Sequence, residues 1–322
     1  MYADKYQDPP CTDDCLVEMG LRVLLQPDPW KKAEYTYVAV SLWMTGEVNS
    51  ICNNNCKGLR APDRPSRSDD TVKLLPPGMA PKRGKGGSLA SRQAILHSLV
   101  HIECWAVDLA WDAVVRYGLQ QAHYQLPKRF FDDFVTVAED EARHFSILVE
   151  RLKELGSYYG ALPAHDGLWE SARETGHSLP ARMAVEHCVH EARGLDRLPA
   201  TIANFRKHGD EASAKLLENV IYPEEVSHCA AGVRWLKYLH ALAHGKDPYA
   251  EAPNLGSGDD SDPKNMTELE AAEDSEDGER KDEGEEEETK EAKKMEGKEK
   301  EGREKEGKEK EGRKKEELKK EE

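Results

Sequence analysis

The pattern Glu-x-x-His occurs twice on segments with helical periodicity, as Glu141-Ala142-Arg143-His144 and Glu225-Val226-Ser227-His228. Residues three apart share a helix face, so each pair aims a carboxylate and an imidazole at one point. Two more glutamates, Glu103 and Glu191, stand in apolar stripes on separate segments. Two Glu-x-x-His helices plus one inward Glu from each of two others are the ligand set of dinuclear carboxylate bundles. The expected fold class is therefore all-α, a four-helix bundle closed round Glu103, Glu141, His144, Glu191, Glu225 and His228.

Each stripe can be traced by its spacing. In the first, Leu96, Val100, Glu103, Val107, Ala110, Val114 and Tyr117 recur at steps of four and three. Glu103 is its one charge, and an unpaired carboxylate there would be costly, so it should be protonated, paired or metal-bound. His97, His101 and Asp108 fall beside that face, and His101 and Asp108 are expected to support the ligands from behind. His97 and His101 are four apart like zinc-protease histidines, but Ser98 stands where that motif needs Glu. The second helix starts near Lys128, after Leu126-Pro127. It turns Phe134, Val137, Glu141, His144, Leu148, Leu152 and Leu155 inward, with Glu139 and Asp140 beside them, on the outer face or supporting the ligands, and ends at Gly156. The third follows Pro180, with Ala184, Cys188, Glu191, Leu195 and Leu198 inward. Glu186 falls with Arg182, His190, Arg193 and Arg197 on a polar face, so periodicity selects Glu191, and His187, one turn earlier, is a second supporting candidate. The fourth runs from about Glu211 to His240, with Leu217, Ile221, Glu225, His228, Gly232, Trp235 and Leu239 inward. Pro223 should bend it ahead of its ligands, and Gly232 leaves room for a ligand or a close helix.

Residues 157–178 are too long for an ordinary link within a bundle. Such a crossover between second and third helices is what ferritin-like topology requires. Asp166 is an expected N-cap for a short helix from Leu168. Residues 1–87 read as an N-terminal extension, 88–245 as the bundle and 246–322 as a charged tail. Within the extension no regular structure is assigned to residues 1–30. Trp30 to Val48 reads as a helix with Tyr37, Val40, Leu42 and Met44 inward. Ala61 to Gly87, rich in Pro, Arg and Gly, reads as a solvated strap over the body. Cys11, Cys15, Cys52 and Cys56 form two Cys-x-x-x-Cys pairs. Zinc sites usually place two residues between the thiols, so these read as free cysteines in loops.

The chain has 322 residues and a net charge of −16, of which about −12 falls in residues 251–322. The acidity therefore says little about what the folded body binds. The tail repeats Glu-Gly-Lys-Glu-Lys-like blocks with nothing apolar to pack, and disorder is expected. Seven cysteines, an odd number with three inside expected helices, make no disulfide framework. A reducing, cytoplasmic setting follows. No apolar run is long enough for a membrane span, and the N-terminus lacks a secretory signal.

The stretch from about Ala61 to Leu239 resembles a family of ferritin-like, diverged di-iron proteins labelled as a domain of unknown function. The residues that carry this are Ala61-Pro62-Asp63-Arg64-Pro65 with Pro81-Lys82-Arg83, His101-Ile102-Glu103 leading to Asp108-Leu109-Ala110-Trp111-Asp112, and Glu141-Ala142-Arg143-His144-Phe145. Leu162-Pro163-Ala164-His165-Asp166-Gly167-Leu168-Trp169, Glu191-Ala192-Arg193-Gly194-Leu195-Asp196, and Glu225 to Gly232 continue it. The resemblance implies the same six metal ligands and assigns no substrate. The N-terminal cysteines, Cys104 and the tail depart from the family pattern.

Four carboxylates and two imidazoles suit iron or manganese better than thiophilic metals, and four glutamates balance two divalent ions. Two iron ions are the expected cofactor, with manganese or a mixed pair as alternatives. The leading functional expectation is an oxygen-dependent oxidase or hydroxylase acting on a small molecule with an unidentified electron donor. A metal-handling protein without organic substrate is the second. The family is distantly similar to ferritin-like tRNA hydroxylases, but a net acidic body gives a nucleic-acid substrate little support. A metal-free helical adaptor, its glutamates paired by the histidines and Arg143 or Arg193, is the last.

Overall fold

The structure is a computed structural model that describes residues 6–68, 70–76, 79 and 85–249. The tail, and Pro81-Lys82-Arg83 of the strap, lie outside the described residues. Among the described residues the regular structure is helical, apart from one isolated parallel bridge between Leu74 and Ala164.

Helix α1 (Leu16–Leu25) begins at Cys15, whose backbone N–H donates to Glu18 Oε2 at 3.2 Å. The sequence reading assigns nothing here, yet every residue of α1 but Arg22 is buried. Its backbone approaches α3 (Leu89–Gly118) so closely that a Cβ on Gly20 would meet Val115 Cγ2 at 2.6 Å. Helix α2 (Pro29–Met44) starts at Asp28, which accepts the N–H groups of Trp30 and Lys31. Its inward face is not the expected one, because Tyr37 and Met44 are exposed. Ala33, Tyr35, Thr36, Ala39, Val40 and Trp43 face inward with Lys32, which forms a buried ion pair with Asp108. Polar members of the stripe find partners on α3: Trp111 Nε1 donates to Thr36 Oγ1 at 3.0 Å. An apolar-only reading cannot register such a face.

With α1 and α2 behind it, α3 is buried on most sides, its expected stripe included. That is how a helix in the middle of a layered domain behaves. The strap crosses this layer in extended form. Ser66 N–H donates to Leu24 O, Trp169 Nε1 donates to Asp63 O, and Arg67 sits 3.7 Å over the Trp105 ring.

Beyond the short α4 (Gln121–Tyr124), α5 (Lys128–Glu154) packs along α3 and buries the predicted stripe from Phe134 to Leu152. The crossover holds α6 (Gly167–Thr175). Asp166 stands at its N-cap but makes no capping hydrogen bond; its carboxylate pairs with Arg64 instead. The third segment is α7 (Leu179–Ala184), a π-turn (Val185–His190) and α8 (Glu191–Lys207). The fourth is α9 (Glu211–Leu216), a π-turn (Leu217–Ile221) and α10 (Tyr222–Ala243). A π-turn adds a residue to one turn and so rotates the face that follows. For that reason the predicted third stripe fails before Glu191. Arg182, Met183, Glu186 and His187 are buried there, while Ala184 and Cys188 are half-buried. In the fourth segment all seven predicted inward residues, from Leu217 to Leu239, are buried.

Gly232 serves a close helix approach. A Cβ at this position would lie 1.8 Å from His187 O and 2.5 Å from His187 C. Overpacking against a backbone costs about 1–3 kcal/mol or more, above the ~1 kcal/mol that Ala gains over Gly in a helix. Gly232→Ala is therefore expected to lower the unfolding free energy in urea, and unchanged or higher stability would contradict this packing.

Candidate metal centre

The four segments bring all six predicted residues together as two overlapping groups. Glu103, Glu141, His144 and Glu225 form one, and Glu141, Glu191, Glu225 and His228 the other; within each group the donor atoms lie within 4.8 Å of one another. Glu141 and Glu225 belong to both. Five of the six are buried and Glu191 is half-buried.

Both imidazoles turn Nδ1 to the centre. His144 Nδ1 stands 3.5 Å from Glu141 Oε2, 3.5 Å from Glu225 Oε1 and 3.7 Å from Glu103 Oε2. His228 Nδ1 stands 3.0 Å from Glu141 Oε1 and 3.4 Å from Glu225 Oε2. Neither Nδ1 makes a hydrogen bond, and neither does the buried Glu141 Oε2. Buried polar atoms normally find partners. Two donors that share an ion at about 2.1 Å, roughly a right angle or a tetrahedral angle apart, are themselves about 3–3.5 Å apart.

The outward Nε2 atoms are anchored crosswise. His144 Nε2, on α5, donates to Glu224 Oε2 on α10 at 2.7 Å, and His228 Nε2, on α10, donates to Asp140 Oδ2 on α5 at 3.2 Å. Arg143 bridges both supports, 2.8 Å from Asp140 Oδ1 and 2.6 Å from Glu224 Oε2. A carboxylate on the far nitrogen fixes ring orientation and leaves the near nitrogen available. Sequence reasoning set Asp140 beside the site and missed Glu224. The repeat of an acid, Glu, two residues and His (Asp140 to His144, Glu224 to His228) was the available signal.

The residues expected to support the cluster divide. On a helix, His101 and Asp108 lie roughly 140–160° round the axis from Glu103, and their contacts are all on that far side. His101 Nδ1 shares a 2.8 Å hydrogen bond with Tyr159 OH. Asp108 is held by Lys32 and Arg67. Neither supports the cluster. His187 does lie by it, close enough for the charges of Glu141 and His228 to act on it. Its ring packs on Phe134, and its buried Nε2 has no partner. Burial, helped by Arg182, pushes it down to about 3, so it is neutral. Glu186, expected on a polar face, is buried away from the cluster and accepts a 2.8 Å hydrogen bond from Ser171.

Without metal the cluster balances its own charge. Burial and the Glu141 charge hold the Glu103 carboxyl well above the usual range; burial with Glu225 and Glu141 does the same for Glu191. For Glu141 burial works the same way, but its close ion-pair contacts with the His144 and His228 imidazoles prevail and lower it well below. Glu225 is also lowered, because the same two imidazoles outweigh burial and the Glu141 charge. Burial disfavours the charged imidazoles, yet their acidic partners raise both strongly.

Residues 25–253 match the family described as "Protein of unknown function (DUF455)". The chain belongs to the DUF455 family. A Haemophilus influenzae relative, named only "Uncharacterized protein", is 38% identical over 175 residues, covering 53% of this chain and 58% of the relative's length. No solved structure matches the chain. The DUF455 match spans all four segments that carry the cluster. No helix among the described residues is long and apolar enough to cross a membrane.

The charge pattern fixes a pH dependence for the metal-free chain. Groups raised in the folded state (His144, His228, Glu103, Glu191) stabilise fully below their unfolded values, about 6.5 for His and 4.3 for Glu, and lose this as pH rises through their folded values. The lowered Glu141 and Glu225 stabilise above their unfolded value and lose this only as pH falls through their folded ones. In the presence of a chelator, thermal stability is therefore expected to fall between about pH 6 and pH 8.5. A rise over that range would contradict the assignment.

Proposed function

We propose that this DUF455 chain is a ferritin-like dinuclear metal protein, a di-iron centre acting as an oxygen-dependent oxidase or hydroxylase. The observation that carries the reading is the pair of overlapping Glu/His groups sharing Glu141 and Glu225. The long connection between α5 and α7 supports the ferritin-like topology. The donor set fits the ions: oxygen and imidazole donors, a charge of −4 from four glutamates, and three buried donor atoms with no other partner.

Glu141 and Glu225 would bridge the two ions. Glu103 and His144 would complete one side, and Glu191 and His228 the other. Two ferrous ions, when bound, supply the electrons that reduce dioxygen. The protein's part is geometric. Asp140, Glu224 and Arg143 fix the orientation of both imidazoles through Nε2, which would leave each Nδ1 to hold an ion. Phe134 and the packed stripes exclude water. Neutral His187 packs its ring on Phe134 at the edge of the cluster, with its Nε2 unengaged.

The second reading is iron handling without an organic substrate, and one observation favours it. Two clefts next to Trp105, the larger about 150 Å³ and lined by His97, His101, Ile102 and Leu168, both lie along the His101 side of α3 and away from the cluster. Oxygen consumption without mineral formation would favour the oxidase; growth of a ferric mineral would favour iron handling.

Metal analysis of protein grown with iron is expected to give about two ions per chain. Glu141→Ala, which removes a shared ligand, should lose both, whereas Glu103→Ala should lose the ion on its own side preferentially. Asp140→Asn is expected to weaken binding by about 10–100-fold with the fold retained. Normal metal content in Glu141→Ala would overturn the ligand assignment.

A further inference from the structure

Cys15 and Cys56 come together from 41 residues apart in sequence, and the metal centre makes no use of them. Their Sγ atoms are 3.3 Å apart and both residues are buried. The two backbone segments that bear them are fixed to each other by bonds that leave the sulfurs out. Leu16 N–H donates to Ser50 O at 2.9 Å and Val17 N–H to Ile51 O at 3.1 Å. Glu18 Oε2 accepts from both Cys15 N–H and the Asn53 amide. A third thiol, Cys52, is exposed and near enough to Cys56 for each to affect the other's ionisation. The fourth member of the paired motif, Cys11, is also exposed. Among the described residues the clusters of donor atoms fit to hold a metal contain no cysteine, so a four-thiolate site does not form here.

We propose that Cys15 and Cys56 are a reversible dithiol–disulfide site, charged through Cys52 by a low-molecular-weight disulfide. The Cys52 thiolate attacks one sulfur of the reagent and expels the other half as a thiolate, leaving a mixed disulfide. Cys56 then attacks Cys52 Sγ and releases the second reagent thiol. Cys15 finally attacks Cys56 Sγ, forming the Cys15–Cys56 bond and returning Cys52 as a thiol. The protein loses two protons and two electrons, and the reagent gains both. Burial pushes the Cys15 thiol up to about 12 and the Cys56 thiol up to about 11. Since the thiolate is the nucleophile, exchange should quicken as pH rises. The bond would clamp the start of α1 to the turn at Asn54–Cys56 and so fasten α1 over the Trp111–Gly118 end of α3.

The test uses the full chain with oxidised glutathione at about pH 8, followed by alkylation, digestion without reduction and tandem mass spectrometry. The expected product is a Cys15–Cys56 cross-link that dithiothreitol removes. Cys52→Ser should slow its formation severalfold without abolishing it, and Cys11→Ser should leave it unchanged. A reaction that stops at Cys52–Cys56, a glutathione adduct that stays on Cys52, or Cys15 and Cys56 both fully alkylated would each overturn the proposal.

Discussion

The constraint on which the rest of this structure depends is the burial of four carboxylates and two imidazoles at one point between helices. A single carboxylate in an apolar interior is costly, and several close together cost more. The cluster tolerates them because each Glu-x-x-His helix holds the imidazole of the other. Glu224 anchors His144, Asp140 anchors His228, and Arg143 ties the two anchors together. This crosswise wiring makes the geometry a property of the α5–α10 pair rather than of either helix. It also leaves both Nδ1 atoms facing inward with nothing in the protein to bond.

The surrounding fold serves that pair. Glu103 comes from α3, which is held from behind by buried charges: Lys32 and Arg67 on Asp108, and Arg182 on Asp112 at 2.8 Å. Removing one partner from such a set usually costs several kcal/mol, so their worth is mainly in fixing α3 relative to its neighbours. Glu191 and Glu225 each follow a π-turn closely. Turns of this kind are common at functional sites, and the one at Val185–His190 lets the third segment change phase just before Glu191.

Much of this was legible in the sequence. The stripes of α3, α5 and α10 follow plain helical spacing, and Glu103, Glu141 and Glu225 are their only acidic members, so these helices and five of the six cluster residues could be read; Glu191 was found although its own stripe was not. Three things escaped for physical reasons. The π-turn at Val185–His190 broke the period, which put Arg182 and Glu186 on the wrong face. The inward face of α2 contains Lys32 and Thr36, which only their partners on α3 make tolerable. His101 and Asp108 were placed beside the Glu103 face, although a helix carries residues two or five positions away to its other side. Helix α1 was a plain omission: Leu16 to Leu25 is apolar throughout but for Glu18, Gly20 and Arg22.

A dinuclear site would explain why a DUF455 chain keeps so much charge where other bundles keep leucine. Diffraction from crystals grown with ferrous iron, collected at the iron absorption edge, tests that most directly. Two anomalous peaks, roughly 3–4 Å apart and flanked by the Glu141 and Glu225 carboxylates, are the predicted result. A cluster with no peak, its side chains bonded only to one another, would contradict it.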